Sequence, residues 1–332
     1  MAMSFQVFEQ LVSRLIKGRS SRVSLAACLL LGLMAEPFWG QTSNLGDKER
    51  EVSEARSLLE NGNTLEAEQR IRAYLLTNTN SGTAHFVLGL VLFKETRPAE
   101  SLAEFTAGAK FLQPGSYELQ VVALDYVLLG DYIDADKWLT KSLEMSPSNP
   151  EAWYYLGRTK YNENRFNEAI QAFQQCLKLD PKNVKAEDNL GLSYAGLDRG
   201  EEAADAYRQA IAWQEQALEK NPGPYLDFGN LLLDENRTAE ALPYLRTATT
   251  IFPNKSKAHA ALGKGYERLN QFSDARQELE TAARLTPDDP ALHLVLARVY
   301  RKMGLTEKAR IETERSSALR ASSTEQALTY VH

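Results

Sequence analysis

The sequence predicts an all-α chain, a right-handed α-solenoid of stacked antiparallel helix pairs with about eight repeats of 34 residues. Three observations predict it. The stretch Pro150–Asn183 reads as two amphipathic helices, with Trp153, Leu156 and Gly157 on the first and Ala169, Phe173 and Cys176 on the second. The same arrangement returns in nearly constant phase from about Lys48 to about Arg320. Prolines close several second helices, where the missing N–H and a clash with the preceding turn stop the helix.

Aligned on that stretch, the units start at Lys48, Gly82, Ser116, Pro150, Val184, Pro222, Ser256 and Pro290. Every step is 34 residues except the one from Val184 to Pro222, which is 38. The four extra residues fall within Ala210–Lys220, a run of good helix formers. The spacing therefore predicts one extra turn on that second helix, ended by Asn221, Pro222, Gly223 and Pro224. In the first unit Glu51 and Glu54 stand where other units carry an aromatic and a Leu, which suits an N-terminal cap with a polar outer face. Thr42–Asp47 read as a short linker before it. The last unit fades after Ala309, and Ala321–His332 read as a flexible tail beyond a repeat region spanning 42–320.

Each recurrent place has a physical reason. Gly89, Gly157, Gly191, Gly229 and Gly263 in the first helices face Ala67, Ala135, Ala169, Ala203, Ala241, Ala275 and Ala309 in the second. Small residues there let the two backbones approach. Tyr126, Tyr194, Tyr266 and Tyr300, with the Leu residues, fill the space between helices. Glu66, Glu100, Glu168, Glu202 and Glu240 fall in the first turn of a second helix, where a carboxylate suits the helix dipole and can serve a cap. This set of places resembles the tetratricopeptide repeat, a 34-residue helix–turn–helix, over essentially the whole chain after its leader. No single helix pair can bury its apolar face alone, so stacking on neighbours is expected to build the core.

Residues 1–41 form the leader. Arg14, Lys17, Arg19 and Arg22 precede an apolar run from Val23 to Met34, which reads as an export signal, either cleaved or kept as a membrane anchor. The run is short for a span, which needs roughly 20 apolar residues. Cys28 lies inside it and reads as an ordinary residue of a signal core rather than a lipid attachment site. With only Cys28 and Cys176, no disulfide framework is suggested. A net charge of -6 argues against a general nucleic-acid binder, and 43% hydrophobic residues suffice for a core. The leader places the protein outside the cytoplasm, periplasmic or secreted in a bacterium, with the membrane reached only through an uncleaved leader.

A search for chemistry returns nothing that the repeat does not explain. There is no HExxH, GxSxG, phosphate-binding loop or dinucleotide turn. His85, His259 and His293 occupy the place of Trp153 in their units and read as half-buried packing residues too far apart for one metal site. Cys176 reads as an inert core thiol, and the acidic residues as solvated charge on outer helix faces. No catalytic residue, metal site or cofactor is predicted, and no stretch of domain size is left to hold an enzyme.

The family resemblance implies an inner groove, lined by exposed first-helix residues, that binds peptides or extended protein segments. Carried over unit by unit, those places hold Phe86, Leu90, Phe93, Leu124 and Val127, then Tyr154, Arg158 and Tyr161. Asn230 and Asp234 follow, then Lys257, Lys264, Arg268, Arg298, Arg301 and Lys302. The Lys and Asn set with which chaperone-binding members hold a terminal carboxylate is not reproduced. The expected function is a non-enzymatic scaffold for a protein or peptide partner. The alternatives are self-assembly with further copies of the chain, or docking within an enzyme complex.

Overall fold

The computed structural model describes residues 41–215 and 217–329, and all regular structure among them is helical. The helices come in pairs. They are α1 (Gln41–Glu60) and α2 (Thr64–Thr77), α3 (Gly82–Lys94) and α4 (Pro98–Gly108), and α5 (Ser116–Leu129) and α6 (Tyr132–Met145); α7 (Pro150–Asn162) and α8 (Phe166–Leu179) follow. They continue as α9 (Val184–Ala195) and α10 (Gly200–Trp213), α11 (Gly223–Asp234) and α12 (Thr238–Ile251), α13 (Ser256–Arg268) and α14 (Phe272–Leu285), and α15 (Pro290–Lys302) and α16 (Thr306–Thr329). This is the all-α solenoid class that the periodicity predicts. The chain divides into two compact units with the boundary in sequence between Glu163 and Asn164, so α1–α7 belong to the first and α8–α16 to the second. Val52, Ala55, Ile71, Ala84, Val87, Leu88 and Leu92 form a buried cluster in the first. In the second, a larger cluster runs from Ala203 to Ala309.

The turn inside each pair obeys one rule. Gly62, Thr96, Gly130, Asn164, Asp198, Asn236, Asn270 and Gly304 all have φ between 58° and 80°, and they stand at the same place in the eight repeats. A left-handed residue there ends the first helix and reverses the chain. The next N–H then reaches back five residues. Asp131 N donates to Tyr126 O, Arg199 N to Tyr194 O, and Gln271 N to Tyr266 O, each at 2.9–3.0 Å. Gly, Asn and Asp tolerate this conformation. Thr96, which is β-branched, is the strained member of the set.

The close approach of paired helices is equally regular. A Cβ added to Gly89 would stand 2.9 Å from Phe105 Cε2, and one on Gly191 would stand 2.6 Å from Tyr207 Cε1. At Gly263 the neighbour would be Leu279 Cγ at 2.7 Å. Each partner is the large residue four places beyond the small residue of the second helix (Ser101, Ala203, Ala275), and all three partners are at most 1% exposed.

Polar pins fasten the same pairs. Trp153 Nε1 donates to Pro147 O at 2.8 Å. The three histidines at that place do the same and more. His85, His259 and His293 each set Nε2 against a carbonyl six residues back and Nδ1 against a glutamate nineteen residues on, at 2.6–3.0 Å. They are packing residues, as expected, and they also tie the first helix to the second. The glutamates expected as caps behave differently. Glu100, Glu168, Glu202 and Glu240 are held by Arg97, Arg165, Arg199 and Arg237, three residues earlier, which draws Glu100, Glu202 and Glu240 below the usual carboxylate range. These exposed pairs contribute little to stability.

Several expectations are corrected. The longer repeat does not lengthen its second helix: α10 has 14 residues, as α8, α12 and α14 do. The chain leaves the helix after Trp213 instead. Gln214, only 3% exposed, donates from Nε2 to Asn221 O at 3.0 Å and accepts from Asn221 N at 2.6 Å. Its amide does the work of a backbone group and closes the loop, whereas another helical turn would have carried the chain about 5.4 Å past the start of α11. Thr42–Asp47 belong to α1 rather than to a linker, and helix α16 continues through Ala321 to Thr329. The leader, with Cys28, lies outside the described residues apart from Gln41. Among the described residues no helix is long and apolar enough to cross a membrane. Lys160, which stands where an aromatic is usual, is buried and sets Nζ 2.6 Å from Asp136 Oδ2 of α6.

The acidic residues are not all solvated. Asp125 of α5 is 0% exposed. Ser101 Oγ lies 2.6 Å from its Oδ2 and 2.9 Å from Gly89 O, and one hydroxyl hydrogen cannot serve both. A protonated carboxyl resolves this, donating to Ser101 while Ser101 donates to Gly89 O. Burial pushes the Asp125 carboxyl up to about 7, against the lowering influence of the Ser101 hydroxyl.

Two predictions follow from this packing. Alanine is intrinsically better than glycine inside a helix by about 1 kcal/mol, yet Gly191→Ala should destabilise by roughly 1–3 kcal/mol through overpacking against Tyr207. Urea unfolding checks it, and an unchanged or raised midpoint would refute the close-approach argument. The second concerns Asp125. Its folded pKa lies above the unfolded value, so the native state binds the extra proton and stability falls as pH rises from about 4 to about 7, by a few kcal/mol at most. Asp125→Asn, whose amide can still donate to Ser101, should flatten that part of the profile. Thermal melts of both proteins across this window check it, and parallel slopes would show that Asp125 is ionised in the fold.

Candidate interaction face of the first helices

The residues expected to line a groove lie on first helices, and each compact unit can be described on its own. In the first unit the lining is thinner than the sequence suggests. Phe86 and Leu90 of α3 are buried, at 3% and 6% exposure, so they do not form an open wall. The Phe86 ring sits 5.9 Å from that of Phe105 and covers Gly108, where a Cβ would strike Phe86 Cδ1 at 2.6 Å. Both stand at the groove places that the family pattern implies, on a helix whose apolar residues surround most of it. Phe93 of α3, Leu124 and Val127 of α5, and Tyr154 and Tyr161 of α7 are half-buried. Arg158 is exposed, with its guanidinium 5.9 Å from the centre of the Tyr154 ring. Tyr154 in turn meets Tyr155 edge-on at 5.3 Å. The result is an aromatic ledge carrying an exposed cation, which suits an extended segment with aromatic or acidic groups.

In the second unit the basic end is partly spoken for. Lys257, Lys264, Arg268, Arg298, Arg301 and Lys302 are all exposed. Arg298 of α15 is locked onto Glu267 of α13, Nη2 to Oε2 at 2.7 Å, and the glutamate side chain is only 13% exposed. Arg268 donates from Nη1 to the backbone carbonyl of Leu233. Both guanidinium groups thus join successive first helices, a structural task invisible in a unit-by-unit reading. Arg301 makes only a long contact with Ala297 O, at 3.4 Å within its own helix. Asn230 of α11 is half-buried, and Asp234 on the same helix is exposed.

Sequence reasoning missed a pair of acids on these helices. Asp188 of α9 is 5% exposed, and Asp227 of α11 is half-buried. Burial pushes Asp188 up to about 8, with the Asp227 charge adding to the effect and Lys255 opposing it. Burial likewise pushes Asp227 up to about 6 against the pull of Lys255 and Lys257. Burial also pushes Glu187, the neighbour of Asp188, up to about 7. The signal was present in the register: Asp188 stands at the place of Phe86 and Tyr154 in their units. Cys176 is fully buried in α8, and burial, with the charge of Asp180, pushes its thiol up to about 11. A thiol so placed is not set up as a nucleophile. Among the described residues no three His, Cys, Asp or Glu side chains come together as a metal site.

Comparison with known proteins agrees with the geometry. Tetratricopeptide repeat models match residues 52–116, 150–183 and 232–299, about half the chain in all. CycH of Pseudomonas aeruginosa, a cytochrome c-type biogenesis protein, is 27% identical over 136 residues, which is 40% of this chain and 32% of its own length. Tetratricopeptide repeat protein 14 of Mus musculus is 27% identical over 135 residues, 37% of this chain and 18% of its own. The chain therefore spans a third or less of the length of these curated relatives. A tetratricopeptide repeat protein from Parabacteroides merdae superposes with a TM-score of 0.61 at 16% identity, over 76% of this chain and 98% of its own, which is a likeness of fold. With the repeat register, the paired helices and these matches together, the chain belongs to the tetratricopeptide repeat family and has the build of a protein–protein interaction scaffold.

Proposed function

We propose that this protein is an exported, non-enzymatic scaffold that binds an extended segment of a partner protein along its first-helix faces, with a principal contact on the aromatic ledge of α5 and α7. The observation that carries the reading is the grouping of Leu124, Val127, Tyr154, Arg158 and Tyr161. Four half-buried apolar or aromatic side chains lie with an exposed arginine on the two helices. Tyrosine and arginine bury area while keeping hydrogen-bonding capacity, which is why they dominate binding hot spots. Export rests on the residue pattern of the leader, basic from Arg14 to Arg22 and apolar from Val23 to Met34.

Two measurements test these readings. Panning a random peptide display library against residues 42–322 should enrich binders whose affinity falls at least tenfold when Tyr154→Ala, Arg158→Ala and Tyr161→Ala are combined. Selected peptides that bind the triple variant as well as the parent would place the contact elsewhere. For export, a phosphatase that folds only outside the cytoplasm should become active in a bacterial host when fused after residue 60. Deletion of Val23–Met34 should abolish that activity. An inactive fusion with the intact leader would remove the export reading.

A further inference from the structure

We propose that Asp188 and Asp227 form a recognition site for an arginine side chain of the partner segment, set between α9 and α11 in the second unit. This deepens the scaffold reading and rests on it. Two carboxylates on adjacent first helices come close enough to feel each other's charge, and one of them is 95% withdrawn from water by the exposure already given. Asp188 Oδ1 is buried without a hydrogen-bond partner. A buried carboxylate oxygen left without a donor costs on the order of 1–3 kcal/mol or more, so native structures keep such a group where something else satisfies it.

The surroundings are shaped around that carboxylate. Asp188 Oδ2 lies 2.5 Å from where a Cβ would stand on Gly223, the first residue of α11, so only glycine leaves room for it. The following residue, Pro224, has no N–H to offer. The Gly223 N–H is directed to Asn221 Oδ1 at 2.9 Å. The start of α11 thus accepts the carboxylate sterically and gives no hydrogen bond to Oδ1. Lys255 and Lys257 temper the repulsion between the two acids at a distance, and no ion pair joins either lysine to them.

Charge and shape select the occupant. The acids continue an open stripe: Asp227, Asn230 and Asp234 follow one another at i, i+3 and i+7 on one face of α11. A guanidinium carries five N–H donors in a planar fork and is more weakly hydrated than an ammonium. It can donate to Asp227 and, by favouring the ionised form of Asp188, to that carboxylate as well, at a lower desolvation cost than a lysine. A metal ion would find two carboxylates and no third His, Cys, Asp or Glu beside them among the described residues. The site is therefore built for arginine within a peptide.

The test uses the leader-less chain and small probes, so it does not depend on the aromatic ledge or on finding the natural partner. N-acetyl-arginine amide is titrated and followed by chemical-shift changes, beside N-acetyl-lysine amide, N-acetyl-citrulline amide and calcium chloride. The expected result is saturable arginine binding, at least tenfold tighter than the neutral citrulline probe and tighter than lysine. Asp227→Asn and Asp188→Asn should each weaken it at least tenfold. Asp227, the more exposed of the two, supplies the decisive variant if Asp188→Asn fails to fold. No saturable arginine binding, equal binding of citrulline, or binding unchanged in Asp227→Asn would overturn the proposal. Preference for lysine or calcium would overturn the assignment to a guanidinium. Arginine binding at this site alongside selected peptides that ignore the α7 ledge would leave the acid site standing and remove only the ledge.

Discussion

The fold depends on one steric constraint, the contact between a small residue of the first helix, glycine in α3, α9, α11 and α13, and a large side chain of its partner. At Gly89, Gly191 and Gly263 there is no space for even one methyl group. Bringing two helices this close lets Phe105, Tyr207 and Leu279 close over bare backbone and become fully buried. Each such side chain contributes about 1.5–3 kcal/mol by leaving water, which is large for a pair that could not stand alone. Where the glycine is replaced, as by Ala123 and Ala297, the substitute is small and fully buried.

That approach fixes what the turns and pins must do. Helices packed at this distance need a short, sharply reversed connection, and the left-handed residue supplies it in all eight repeats. The strain at Thr96 is tolerated because helix packing on both sides over-determines the backbone. The Trp and His contacts to a carbonyl six residues back then fix the entry of the first helix. One geometric demand therefore accounts for three recurrent features that look independent in the sequence.

Legibility follows the same division. Period, pairing and the small-residue places could be read because each is imposed many times over, and repetition averages out local exceptions. Features that occur once could not. The loop closed by Gln214 looks helical in composition, since Ala, Gln, Glu and Lys favour helix wherever nothing competes, and the competing amide-to-backbone bonds to Asn221 leave no mark in propensity. Phe86 and Leu90 are buried at places where the family pattern implies exposure, because α3 is apolar over most of its surface and packs on more than one side. Arg298 and Arg268 read as free groove charge because their partners, Glu267 and the Leu233 carbonyl, belong to the preceding repeats, outside the window of any one unit.

The same constraint limits where recognition can reside. Most positions of a first helix are committed, some to the second helix of its own pair and others to the neighbouring repeat. What remains is a narrow strip at spacings of three and four. On α7 that strip carries Tyr154, Arg158 and Tyr161, and on α11 it carries Asp227, Asn230 and Asp234. Side chains on the strip can vary without disturbing the glycine contact, so chemistry there is free to answer to a partner. Asp188 is the exception that sharpens the point. It sits at a strip position yet is buried, and the core offers its Oδ1 no donor. A carboxylate kept there at a cost to folding, in a cradle that requires Gly223, is accounted for by what it binds rather than by what it packs.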